Sequence, residues 1–174
     1  MQNRCNKVIP HPQLIEMLFA HKVNVSTIFR DVLGIHKIDH IAITRIDASQ
    51  QILVFSSTAA IEFSLFTGSL WSFDNTYSSD WFKLCTGASW QSLYQPARYD
   101  ELYYTKQIKH DFPTGLSMAV FSEGCYYIYS LASKHWEGNA PELLTNHSGD
   151  FYKIGQYCAN LLQPLFLNIR DCKI

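Results

Sequence analysis

The chain has little charge of either sign to spare. Its 174 residues carry 14 Lys and Arg against 15 Asp and Glu, a net charge of -1. Proteins that grip nucleic acid draw most of their affinity from counterions displaced by a concentrated basic face, so direct nucleic-acid contact is not expected. No segment approaches the roughly 18 uninterrupted apolar residues of a membrane helix, so no membrane span is expected. The opening MQNRCNKVIPHPQ also lacks the apolar stretch of a signal peptide. Five cysteines (Cys5, Cys85, Cys125, Cys158 and Cys172) are an odd number with no CxxC spacing, which fits free thiols in a reducing compartment and a cytoplasmic location. GxGxxG, Walker A and GxSxG sequences are missing, which removes the recognisable nucleotide cradles and the nucleophile elbow. Internal repeats, low-complexity tracts and linkers are missing too, so residues 1–174 read as one domain.

What the chain does have is apolar and aromatic mass. Hydrophobic residues make up 47%, charged residues only 17%, and 11 Phe, 10 Tyr and 4 Trp bring the aromatic share to 14%. This is enough to bury a sizeable core. Tyr and Trp join a large apolar surface to one polar tip, which suits a thick core or a pocket for a partly polar ligand.

Two short amphipathic helices open the chain. Pro12 precedes Leu14, Ile15, Leu18 and Phe19 at helical spacing, and Val25, Ile28, Phe29, Val32 and Leu33 follow, ending at Gly34. Ile38 to Ile46 (IDHIAITRI) is rich in β-branched residues and apolar on both faces, as in a central strand. Turn chemistry in Asp47-Ala48-Ser49-Gln50 leads back into QILVFS, completing a hairpin. Ser57 and Thr58 can cap a helix carrying Ile61 and Leu65. Residues 70–112 hold eleven Trp, Phe and Tyr rings between polar turns, with a short strand expected near Leu70 to Phe73 and a short helix opened by Pro96. A second hairpin pairs GLSMAVFS with CYYIYSLAS across Glu123-Gly124. A polar loop is expected from Lys134 to Gly149. A closing helix follows from Asp150 to Ile169, kinked by Pro164 in its last turn.

Two hairpins joined by helical crossings define an α/β chain of the α+β type. Its central antiparallel sheet has about five strands packed between helices. On the opening hairpin IDHIAITRIDASQQILVFSS, the aromatic stretch SSDWFKLCTGASWQSLY and the closing hairpin GLSMAVFSEGCYYIYSLAS, the sequence resembles PAS and GAF sensor domains. In particular it resembles the N-terminal ligand-binding domain of LuxR-type regulators. The resemblance implies an acyl-homoserine-lactone type of pocket lined by a Trp, a Tyr and an Asp between the hairpins, for which Trp81, Tyr94 and Asp100 stand in similar places. LuxR-type regulators continue into a helix-turn-helix. This sequence ends at Ile174 just after the closing helix, so the expectation is a sensor without an output domain, signalling by protein contact.

Ring chemistry and face alternation single out Trp71, Tyr77, Trp81, Trp90, Tyr94, Met118, Tyr127 and Tyr129 as candidate ligand contacts, and the resemblance adds Asp100. The aromatics between the hairpins could stack on a ligand, and Tyr127 and Tyr129 share one strand face opposite Tyr126. The plainer alternative for each is core packing, with the tyrosines against Met118 and Val120. His36 and His40 lie at i, i+4, but on a strand that spacing is about 13 Å, and His110, His135 and His147 fall in expected loops. No metal site and no cofactor are expected. Cys85 or Cys125 with His110 could make a nucleophile and base only if folding brought them together, and no catalytic constellation surrounds them. The expected function is therefore a non-catalytic sensor of a small, partly apolar molecule. The expected partners are that signal and a second copy or a regulator protein. The alternatives are a ligand-free dimerisation module, using the outer face of Leu14 or Phe19, and, less favoured, a thiol enzyme.

Overall fold

The computed structural model of the chain describes residues 7–168. In chain order the strands and helices are β1 (Ile9–Pro10), α1 (Leu14–Ala20), α2 (Lys22–Arg30), β2 (His40–Ile46), β3 (Gln51–Ser56), α3 (Ala59–Phe66), α4 (Ser79–Phe82), β4 (Gly87–Ser89), α5 (Trp90–Leu93), α6 (Tyr99–Lys106), β5 (Thr114–Ser122), β6 (Cys125–Ser133) and α7 (Ala140–Leu167). The strands form one six-stranded sheet in the order β1-β3-β2-β6-β5-β4. All neighbours are antiparallel except the short β1, which adds to the β3 edge in parallel. The sheet is therefore mixed, with six strands against about five expected: the short edge strands β1 and β4 join it, and the strand expected near Leu70 to Phe73 does not. Two-residue and three-residue strands leave almost no alternation for a sequence pattern to show.

Both hairpins form where their turn residues allow. Asp47 Oδ1 accepts from the backbone N–H groups of Ser49 and Gln51, an Asx turn that reverses β2 into β3. At the second hairpin Glu123 and Gly124 both take positive φ, 52° and 80°. This is the backbone twist that two-residue hairpins favour.

The two faces of the sheet carry different kinds of side chain. Phe55, Ile43, Tyr129 and Met118 line up across four strands and face α7. Phe55 meets Phe166, and a Cβ on Gly155 would run into the Tyr129 ring. The opposite face presents small or polar residues in the matching rows: Ser56, Ala42, Ser130 and Ser117, then His40, Ala132 and Gly115. The aromatic segment covers that second face. α1 packs on β3 and α3, and α2 packs on α7.

Several expectations change. The segment Leu70–Phe73 is a 3₁₀ turn and not a strand, closed by the Ser69 carbonyl accepting from the Ser72 N–H and hydroxyl. The expected loop from Lys134 to Gly149 is half helix. α7 starts at Ala140, with Asn139 capping the Glu142 N–H and Pro141 in the first turn. The run Asn146-His147-Ser148-Gly149 has weak helix propensity, so it is packing of Leu143, Leu144 and Phe151 that carries the helix through it. Pro164 does lie in the last turn of α7, while Ile169 is outside the described residues. Leu14 is core, only 1% exposed, so the free outer face of α1 belongs to Phe19 and not to Leu14. None of the helices among the described residues is long and apolar enough to cross a membrane.

The close approach of α7 to β6 sets one expectation. Gly155→Ala places a methyl where the Tyr129 ring stands, and urea denaturation should show a loss of about 1–3 kcal/mol. Adding Tyr129→Leu should recover part of it, and an undisturbed Gly155→Ala would contradict this packing.

Candidate ligand-binding site

The small residues of the second sheet face leave a trough, and the aromatic segment fills it. Trp90, 1% exposed, sits on Gly115, where any Cβ would overlap its indole. Its Nε1 donates to the Leu116 carbonyl at 3.1 Å, and His40 meets the ring edge to face at 5.7 Å. Above the indole lies a buried ion pair. Lys106 Nζ is 2.7 Å from Asp74 Oδ2, with the two side chains 4% and 0% exposed, and 4.4 Å from the Trp90 ring centre. It is also 5.4 Å from the Tyr94 ring. A lysine charge this deep needs a counter-charge and a π face to replace its lost water.

Other polar groups close around this pair. The Asp74 Oδ1 accepts from the Thr76 N–H, and Tyr94 donates its hydroxyl to Gln107 Oε1 at 2.8 Å. Gln107 in turn donates to the carbonyls of Phe112 and Pro113. Burial, with Asp74 nearby, pushes the hydroxyls of Tyr77 and Tyr94 well above the usual phenol range. His40, bonded to Thr58 Oγ1 at 2.9 Å, is pushed down to about 3 by burial and then by Lys106 and His110. Glu62 on α3 is buried and pushed up to about 7 by that burial, against a smaller opposing effect of its bond to Ser56. Its Oε2 has no hydrogen-bond partner among the described residues.

The sequence candidates divide between the two sides of the sheet. Trp90 and Tyr94 lie in the filled trough. Trp71 and Tyr77 line a cleft of about 710 Å³ at its mouth, together with Asp74, Ser78, Asp80 and Gln95. Trp81 is half-buried in an adjoining cleft beside Leu84 and Leu93 that shares Ser78 and Asp80 with the first. Asp100 is exposed in the first turn of α6, away from this group. Met118, Tyr127 and Tyr129 face α7. Tyr129 is paired with Met118 and Tyr127 with Val120. Both tyrosines line a second cleft of about 410 Å³ with Tyr152, Gln156 and Gln163. The thiols of Cys125 and Cys158 are buried, and burial pushes Cys158 up to about 12.

Sequence reasoning missed Asp74, Lys106 and Glu62. A signal existed for Glu62, the lone charge in the helix AAIEFSLF, and for Asp74, which opens the Asx turn Asp-Asn-Thr. Lys106 ends a polar helix and gave no sign of burial.

Two expectations test these electrostatics. Lys106→Met leaves the Asp74 charge buried and alone and should cost about 3–5 kcal/mol in denaturant unfolding, much of it restored by Asp74→Asn in the double variant. A single variant as stable as the parent would refute the pair's role. Glu62 holds its proton more tightly when folded than when unfolded. Its contribution is therefore complete below the ordinary 4.5 and is lost as pH rises toward 7. His40 runs oppositely, losing its contribution as pH falls from 6.5 toward 3. Between pH 4.5 and 7 the parent should lose up to about 3 kcal/mol relative to Glu62→Gln. Parallel stability profiles for the two proteins would place Glu62 in water.

The sequence matches no protein-family model and no curated protein. Solved structures do match. SdiA of Escherichia coli superposes with a TM-score of 0.55 at 9% identity, over 81% of this chain and 61% of SdiA. A second SdiA structure, in complex with octanoyl-rac-glycerol, gives a TM-score of 0.53 at 10% identity over 83% of this chain and 59% of SdiA. CepR2 of Burkholderia cenocepacia, an N-acylhomoserine lactone dependent LuxR family transcription factor, gives 0.57 at 10% identity over 76% of this chain and 79% of its own. The chain thus spans about three fifths of SdiA. At such identities the likeness is one of fold, and the fold of this chain is that of the LuxR-family autoinducer-binding domain.

Proposed function

We propose that this domain is a non-catalytic, cytoplasmic sensor of a small, partly apolar molecule. The observation that carries the proposal is the cleft of about 710 Å³ at the mouth of the aromatic trough, where Trp71 and Tyr77 offer ring surface beside the carboxylates of Asp74 and Asp80. A ligand with an apolar tail and a hydrogen-bonding head fits such a lining. The Asp that lies buried between the hairpins is Asp74, and Lys106 already satisfies it. A ligand head that reached Asp74 would have to displace or share the Lys106 ammonium, which favours heads carrying an acceptor for the lysine as well as a donor for the carboxylate. That SdiA is solved with octanoyl-rac-glycerol, and that CepR2 is described as N-acylhomoserine-lactone dependent, supports a ligand of this general type.

Output would pass through protein contact. Phe19 and Phe63 meet edge to face at 5.9 Å on the outer side of α1 and α3, and each remains nearly half exposed. This is the face we assign to a second copy or a regulator.

Differential scanning fluorimetry tests the sensor reading. Against acyl-homoserine lactones and monoacylglycerols of graded chain length, a ligand at a hundred times its Kd should raise Tm by roughly 5–10 °C. Trp71→Ala, in the cleft wall, should abolish most of that shift. A panel without any shift, or a shift indifferent to Trp71→Ala, would reject the cleft as the binding site.

A further inference from the structure

On the α7 side of the molecule, away from the proposed ligand cleft, the connection between α2 and β2 holds a histidine in an uncommon backbone. His36 has φ 47° and the next residue, Lys37, φ 60°. A non-glycine residue keeps the left-handed region only where its surroundings hold it there. Here Trp136 does so, donating its Nε1 to the His36 carbonyl at 2.7 Å while its ring rests on the buried Phe151. This places the His36 imidazole over α7. Its Nε2 lies 2.9 Å from Asp150 Oδ2, and its ring centre lies 4.7 Å from that of His147. Both imidazoles also pack on Phe151, with ring centres 6.0 and 5.9 Å from it.

His147 and Asp150 stand three residues apart on α7 and so share a face. His36 arrives from the far side of the chain. One ligand atom from each of the three residues lies within 4.8 Å of the other two. An exposed His–Asp pair alone would explain neither the second imidazole beside it nor the turn that presents His36.

We propose that His36, His147 and Asp150 form a divalent transition-metal site, best suited to zinc. Two imidazole nitrogens and a carboxylate oxygen are a donor set zinc accepts at about 2.0–2.2 Å in tetrahedral geometry. Calcium and magnesium take oxygen ligands in greater number. Around a tetrahedral ion the three donors draw somewhat closer than they stand here, a change within reach of side-chain rotation because His36 and Asp150 are exposed. That exposure also leaves the fourth position to water. The neutral imidazole and the ionised carboxylate are the binding forms, so ion uptake replaces the His36–Asp150 bond with two metal bonds and competes with protons. The consequence is a clamp: the ion joins the α2–β2 connection to a helix more than a hundred residues later, fixing the layer against which the Tyr129 face of the sheet packs.

Chelator-treated full-length protein, kept reduced with a phosphine, should take up one equivalent of zinc in isothermal titration calorimetry and melt at higher temperature with it. Cobalt should give a d–d spectrum without a thiolate charge-transfer band, which separates this site from cysteine ligation. His147→Gln and Asp150→Asn should each weaken zinc binding roughly tenfold or more. His36→Asn should do the same while keeping a residue that tolerates left-handed backbone. Cys85→Ser, at the exposed thiol, should change nothing. No uptake by the parent, a thiolate band, or undiminished affinity in the folded Asp150→Asn and His36→Asn variants would each overturn the site.

Discussion

The Lys106–Asp74 ion pair is the contact on which the irregular segment between α3 and β5 depends. Between α3 and β5 the chain makes short helical turns, one three-residue strand and the eight-residue α6, with little regular hydrogen bonding between them. Asp74 stands near the start of that stretch and Lys106 near its end, so their bond closes it into a loop. Tyr94 ties the middle to both, through its bridge to Asp74 and its hydroxyl on Gln107. Trp90 is then held between this network and Gly115. A buried ion pair contributes little net stability against an apolar replacement of the same shape. Its effect here is geometric, since it holds the two ends of the segment together.

That arrangement follows from an asymmetry of the sheet. The face toward α7 carries Phe55, Ile43, Tyr129 and Met118 and is filled by its own side chains. Beneath Trp90 the opposite face carries Ser130, Ser117, Ala132 and Gly115, and the space over them is filled from outside. In this chain the filling is done by a tryptophan and a charged lysine, with His40 and Glu62 set among them at shifted proton affinities. The interior beneath the cleft is thus polar, and a ligand that enters it meets charge as well as ring surface. The sheet also separates this cleft from the one at Tyr127 and Tyr129.

Much of the architecture could be read from the residues in order. The two hairpins, their turns and α3 lie where alternation and turn chemistry place them, because β-branched alternation and Asx or Gly turns act over a few residues. The start of α7, from Ala140 to Gly149, was lost to its polar, weakly helical character, and β1 and β4 to their brevity. The candidate site was legible in part. Aromatic content pointed to the stretch that covers one face of the sheet, yet it could not tell buried Trp90 from half-exposed Trp81, nor buried Asp74 from exposed Asp100.

The linear order of residues thus determined the two hairpins, their turns and α3, since each rests on interactions between near neighbours. Which acid is buried, that a lysine neutralises it, and that His36 meets His147 and Asp150 were decided by tertiary structure. Those partners stand 32 to 114 residues apart, and charge pairing over such separations leaves no periodic trace along the chain.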